Sequence, residues 1–289
     1  MVPFMWLMIY ISYILLLKLF TLRLYRYFRQ QRWMMINHRG DQTVQSFGLL
    51  VGLHYMIFLM LLLIASAFTS AYPPVSTPVI GNTALMDMVI TLLLLFPMLL
   101  IGWIDDHYGE ERVKGLKGHF FYLLKQGKLS TGLLKALMGI ALSFFVATLY
   151  SEALATVLFY TLLLSTSIHV SNLLDVRPGR SIKAFWIVCL FTISSLYAEH
   201  RLAILFPFLL STFFLFEYDR RRKAMLGDTG ANVLGGLAGV FLIQTHNLGL
   251  QMGSVMLFLF LSLFAERRSM TSYIEKTPWL SRLDRWGTR

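Results

Sequence analysis

The sequence predicts an all-α polytopic integral membrane protein with about nine transmembrane helices, and three observations predict it. Of its 289 residues 56% are hydrophobic and only 14% are charged, with a mean hydropathy of +0.63; a soluble domain carries roughly a quarter of its residues as charges. The apolar residues gather into runs near the ~20 residues a helix needs to cross a bilayer core of about 30 Å. The basic residues, finally, collect between alternate runs.

In chain order the expected spans are 3–20, 47–69, 85–104, 131–149, 152–170, 183–198, 201–217, 230–246 and 249–265, of which the sixth and seventh are short. The first has no basic residue ahead of it and no small-residue cleavage site, so it reads as a span, not a cleaved signal peptide. No fixed repeat or linker divides the chain, and residues 1–289 are expected to form a single membrane-embedded domain.

Of the 26 Lys and Arg, five lie in 21–46, five in 105–130 and three in 171–183. The run Arg220-Arg221-Arg222-Lys223 adds four, and the tail from Glu266 adds six. The intervening connections contain only Arg201, while Lys18 and Lys135 fall inside spans near the basic side. Because short cytoplasmic loops carry the basic excess, the N-terminus is expected outside and the C-terminus in the cytoplasm. The net charge of +11 is thus explained by orientation in the lipid bilayer, and nucleic acid is set aside as a main partner. The longest outer connection, 70–84, is uncharged, so function belongs to the cytoplasmic face of the cell membrane. The lone Cys189 lies inside an apolar run and reads as a small buried hydrophobe.

Three acidic segments stand where an apolar run meets a basic one. IGWIDDHYG ends the third run and holds Asp105 and Asp106. Adjacent helical residues point about 100° apart, so the two carboxylates serve different partners: one a metal, the other a proton or a nearby lysine. SNLLDVRPGRSIK follows the fifth run, with Asn172 and Asp175 on one face of a continued helix and Pro178-Gly179 turning the chain. Its Arg177 and Arg180 are candidates for holding an anionic substrate. MLGDTGANVLGG opens the eighth run, placing Asp228 between Gly227 and Gly230, before a helix whose free N–H groups suit an anion.

Carboxylates at a lipid–water boundary are costly unless something binds them, and Mg²⁺ with a phosphate suits them. That ion takes one or two carboxylates together with substrate phosphate oxygens. Lys114 and Lys117, in VKGLKGH, are candidate phosphate ligands as point charges. The seven histidines show no metal-ligand spacing, and His54 inside the second run reads as a packed or interhelical polar residue. No Walker-type phosphate loop is present.

Together NHRGDQTVQSFG, GWIDDHYG, NLLD and LGDTGAN, in this order between about Asn37 and Ala231, resemble the polyprenyl-phosphate N-acetylhexosamine-1-phosphate transferases. These are the MraY- and WecA-like membrane enzymes of the glycosyltransferase 4 family. The resemblance implies Mg²⁺-dependent transfer of a sugar-1-phosphate from a UDP-sugar to polyprenyl (undecaprenyl) phosphate, releasing UMP and starting a cell-envelope glycan. It implies that Asp228 and Asp105 line the metal and diphosphate. Asp106 and Asp175 would lie beside them as catalytic carboxylates, with Asn172 positioning substrate. A homodimer stays open beside a monomer.

Two segments depart from the family pattern. DVRPG stands where a second aspartate is usual, and no histidine follows His246, where the family carries a histidine-rich loop. The alternative reading is a relative without chemistry that binds carrier lipid or a partner enzyme. The tail, with Trp279, Trp286 and its arginines, reads as an interfacial anchor.

Overall fold

A computed structural model describes residues 2–37, 39–71, 82–109, 122, 124–125, 127, 130–198 and 202–287. Among them are eleven helices: α1 Val2–Gln30, α2 Leu49–Ala71, α3 Asn82–Tyr108, α4 Thr131–Thr148, α5 Leu154–Leu174, α6 Arg180–Ala198, α7 Leu202–Arg220, α8 Gly227–Gln244, α9 Leu248–Arg267, α10 Met270–Lys276 and α11 Pro278–Arg285. The first nine overlap the nine apolar runs. Five helical stretches among the described residues are long and apolar enough to cross a membrane: Met8–Gln30, Leu85–Tyr108, Thr131–Thr148, Leu154–Leu174 and Leu248–Arg267. The protein is therefore all-α and membrane-like. A hairpin between α1 and α2 interrupts the helices, where β1 Met34–Ile36 pairs antiparallel with β2 Gln42–Val44 in the register Met34↔Val44.

The organising element is α8. Every residue from Thr229 to Gln244 is buried, with α2, α3, α5 and α6 packed against it. Glycine is a poor helix former, costing about 1 kcal/mol relative to alanine, yet α8 carries several. Close packing explains them. A Cβ on Gly235 would stand 2.6 Å from Ile168 Cα, and one on Gly239 2.8 Å from Leu164 Cδ2. The small side also lets Ser167 Oγ on α5 donate to the Gly235 carbonyl at 2.7 Å.

His54 is fully buried, with Nε2 3.1 Å from Thr21 Oγ1 on α1 and Nδ1 2.9 Å from Ser211 Oγ on α7. It is the interhelical polar link expected of it, joining three helices. Cys189 is buried, as its apolar setting implies.

Candidate active site

The three acidic segments come together at one end of α8. Helix α3 runs on past its apolar stretch to Tyr108, so Asp105 and Asp106 both lie in its last turn and point apart. Asp106 turns to the N-terminus of α8. Its Oδ1 accepts from Asp228 N at 2.8 Å; its Oδ2 accepts from Thr229 N at 3.2 Å, Thr229 Oγ1 at 2.6 Å and Ser46 Oγ at 2.8 Å. A helix start leaves N–H donors without intrahelical acceptors and favours a negative charge. The sequence leaves that anion open to a ligand. In the structure Asp106 fills the place, supplying from α3 the side-chain cap that the N-cap residue of α8, Leu226, cannot provide.

Glycines make this meeting feasible. Gly227 has φ +71, and a Cβ there would lie 2.6 Å from Asp106 Oδ2. Gly48 and Gly230 touch backbone to backbone: a Cβ on Gly48 would fall 2.2 Å from Gly230 Cα. The space beside Gly227 and Gly230 is thus filled by the protein itself, by Asp106, Gly48 and Leu226.

Asp105 turns the other way, to a lysine. Lys135 Nζ on α4 lies 2.6 Å from Asp105 Oδ2 and 2.7 Å from Asp228 Oδ2. The three side chains are 12% (Asp105), 21% (Lys135) and 32% (Asp228) exposed, so the cluster opens toward its surroundings at Asp228. Two carboxylates from distant segments converge on one cation.

Asn172, near the end of α5, donates through Nδ2 to Asn232 Oδ1 on α8 and to the Ile168 carbonyl. Among the described residues its Oδ1 is buried without a hydrogen-bond partner, as is Asn232 Nδ2. Asp175 follows as the C-cap of α5. Its carboxyl is held well above the ordinary carboxylate range, first by burial and then by the negative charges of Asp219, Asp228 and Asp106. Beside it is a cleft lined by Asn37 and Thr43 of the hairpin segment, Asp175, Arg177, Asp219 and Arg222.

The basic candidates divide. Arg177 lines the cleft while its Nη2 reaches Glu275 Oε1 at 3.1 Å. Arg180 is turned elsewhere, with Nε and Nη2 on the two carboxylate oxygens of Asp284 at 2.5 and 2.9 Å. Lys114, Lys117 and His119 lie outside the described residues. Sequence reasoning missed Lys135 as a site residue, although a lysine inside an apolar run is the kind of costly group that marks function. It also missed Asp219, for which no local signal exists, and the capping hydroxyls of Ser46 and Thr229, which lie inside the runs NHRGDQTVQSFG and LGDTGAN.

Does a divalent metal suit these residues? Among the described residues no three acidic, histidine or cysteine side chains are grouped as a closed metal site. Mg²⁺ does not require one, since it binds through one or two carboxylates and completes its shell with water and substrate phosphate. Asp105 and Asp228, already converging on a cation, are such a pair, and the donor chemistry fits.

The site is thus an acidic cluster at the ends of helices in a membrane-type helical protein. The model of glycosyl transferase family 4 matches residues 88–246, more than half of the chain, and the protein belongs to that family. It is thereby a membrane transferase of the kind that moves sugar phosphate onto a lipid carrier. Comparison with curated proteins returned no match.

Proposed function

We propose that this protein transfers a sugar-1-phosphate, of the N-acetylhexosamine class, from a UDP-sugar to polyprenyl phosphate at the cytoplasmic face of the cell membrane, beginning a cell-envelope glycan. The observation that carries the reading is the convergence of Asp105 and Asp228 on Lys135 Nζ within the family-matched segment. In this reading all nine long helices span the bilayer, with the N-terminus outside. The basic runs around Arg29, Arg180 and Arg221 then share the face of the acidic cluster, as the positive-inside rule requires.

The chemistry is a displacement at phosphorus. An oxygen of the lipid phosphate attacks the β-phosphorus of the UDP-sugar, the bond between that phosphorus and the bridging oxygen breaks, and UMP leaves with the electron pair. Asp228 and Asp105 would hold Mg²⁺, which would supply charge neutralisation at the diphosphate. Lys135 balances the two carboxylates before substrate arrives and offers its ammonium to phosphate oxygens afterwards. Asp105 is the member of the acidic pair facing the substrates, because the acceptor capacity of Asp106 is occupied by the start of α8. Asp175, with its proton affinity raised, is suited to take the proton of a lipid phosphate monoanion. Asn172 Oδ1 offers a neutral acceptor to substrate hydroxyl groups. We place the nucleotide in the cleft of Asn37, Asp175 and Arg177, which two carboxylates, Asp175 and Asp219, help to line.

The test is direct. Purified protein in detergent, given undecaprenyl phosphate, Mg²⁺ and a panel of UDP-sugars, is expected to release UMP with one or more donors. Asp228→Asn is expected to abolish release while its thermal transition stays close to that of the parent. Full activity in that variant would refute the metal role. Carrier-lipid binding without UMP release from any donor would favour the chemistry-free alternative.

A further inference from the structure

The segment after α9 holds the α5–α6 loop from outside, and we propose that it acts as a positioning strap for the cleft, with Asp284 as its principal fastening. The proposal rests on the reading of the cleft as the substrate site. Helices α10 and α11 have almost no core of their own: α10 buries no residue, and α11 buries only Ser281. Hydrophobic burial therefore contributes little to their place beyond the contact of Tyr273 with Phe264, and polar contacts carry most of it.

The charged contacts from this segment to Arg177, Arg180 and Lys183 gather on one stretch of chain. Asp284 takes Arg180 in a two-pronged ion pair at 2.5 and 2.9 Å, and Thr271 Oγ1 accepts a third guanidinium bond at 3.0 Å. Arg180 is 6% exposed, so its charge depends on this partner. Lys183 Nζ donates to the carbonyls of Leu283, Asp284 and Trp286 at 3.3, 2.6 and 3.2 Å, collecting acceptors that the end of α11 leaves open. Glu275 holds Arg177, the one of these residues that lines the cleft.

From the inner side the same loop is held by Asp219, whose Oδ2 accepts from Gly179 N at 2.6 Å. Phe216 packs on it too: a Cβ on Gly179 would stand 2.6 Å from Phe216 Cε2, and Gly287 of the strap meets the same ring. The loop between Asp175 and Arg180 is thus gripped on both sides. The inner grip comes from a membrane helix. The outer grip comes from a peripheral segment attached by charge, so it sets Arg177, and the wall of the cleft, through groups that touch no substrate themselves.

Amide hydrogen exchange across residues 176–183 of the full chain in detergent reads this directly and needs no turnover. Asp284→Asn is expected to speed exchange there by about tenfold, the scale of a lost charge-assisted hydrogen bond. Exchange in α8 should stay as in the parent. Because Asp284→Asn alone leaves the buried Arg180 guanidinium unbalanced, the double variant Arg180→Gln with Asp284→Asn provides a second measurement with the same expected effect. Asp284→Glu is expected to restore most of the protection. With a UDP-sugar donor, the KM of Asp284→Asn should rise at little-changed kcat. Unchanged exchange across 176–183 in both the single and the double variant overturns the strap, whether or not the parent releases UMP. Absence of UMP release from the parent, with exchange altered as expected, overturns only the proposed reaction.

Discussion

Lys135 Nζ lies 2.7 Å from Asp228 Oδ2 although 93 positions of chain separate them, and the same ammonium holds Asp105 Oδ2 at 2.6 Å. The lysine joins α4 to α3 and α8 and keeps two carboxylates together that would otherwise repel. It also occupies the position a divalent cation would share with them.

Replacing it therefore has two separable effects. Lys135→Met is expected to abolish UMP release, because a phosphate partner is lost. It is also expected to enlarge the rise in melting temperature that Mg²⁺ produces, because the two carboxylates no longer have a tethered competitor. Melting curves with and without Mg²⁺ decide the matter. An equal Mg²⁺ shift in parent and variant means that lysine and metal do not share those oxygens.

The adjacent aspartates should part company on mutation. Asp106 accepts three hydrogen bonds from the start of α8 and a fourth from Ser46, so Asp106→Ala should destabilise the fold by about 2 kcal/mol or more, as the loss of a cap with charge-assisted bonds implies. Asp105→Ala leaves Lys135 paired with Asp228 and should cost less stability while removing activity. Denaturant midpoints of the two variants, set beside UMP release, test the division. A larger stability loss in Asp105→Ala contradicts it.

Backbone approach at the site leaves no room for a methyl group. At Gly48 the nearest atom to an added Cβ is Gly230 Cα at 2.2 Å, and at Gly102 it is Thr229 Cα at 2.5 Å. Gly48→Ala or Gly102→Ala must push α8 away from α2 or α3, at a cost of about 1–3 kcal/mol. Gly253→Ala, inside α9 where nothing lies within 4 Å, serves as the control and should be stabilising by up to about 1 kcal/mol. Comparable melting temperatures for all three variants would show that the packing tolerates the added group.

The raised proton affinity of Asp175 gives a pH dependence with a definite sign. Its folded pKa lies above the ordinary 3.8 because burial and the charges of Asp219, Asp228 and Asp106 disfavour the carboxylate. The folded protein thus holds this proton more tightly than the unfolded chain does. The favourable contribution is present in full below the ordinary value and is lost as pH rises through the raised one. In metal-free buffer the melting temperature should fall across that window, and Asp175→Asn should flatten the fall. On the proposed Mg²⁺ reading protons compete with the ion for the cluster, so the Mg²⁺ concentration giving half-maximal stabilisation should drop as pH rises. A parent slope unaltered by Asp175→Asn removes the assignment.

Much of this was readable in the chain. The apolar runs place the helices because a bilayer-length stretch of Leu, Ile and Phe has few alternatives, and nine long helices among the described residues overlap them. The divergence of Asp105 and Asp106 follows from helical geometry alone, whereas the pairing of Asp105 with Lys135 is a tertiary contact. Arg180 is a different case. A basic loop residue beside an acidic motif reads as a phosphate ligand, yet its carboxylate partner is Asp284, 104 positions away. Local pattern cannot distinguish a substrate phosphate from an aspartate of the same chain.

The sequence alone determined the membrane class, the helix positions and the acidic motifs, since hydrophobic length and residue type are local properties. Only the tertiary structure decided which carboxylate caps α8, which lysine lies between Asp105 and Asp228, and what holds the α5–α6 loop. Those choices depend on distances between segments far apart in the chain, and helix packing around the small residues of α8 sets them.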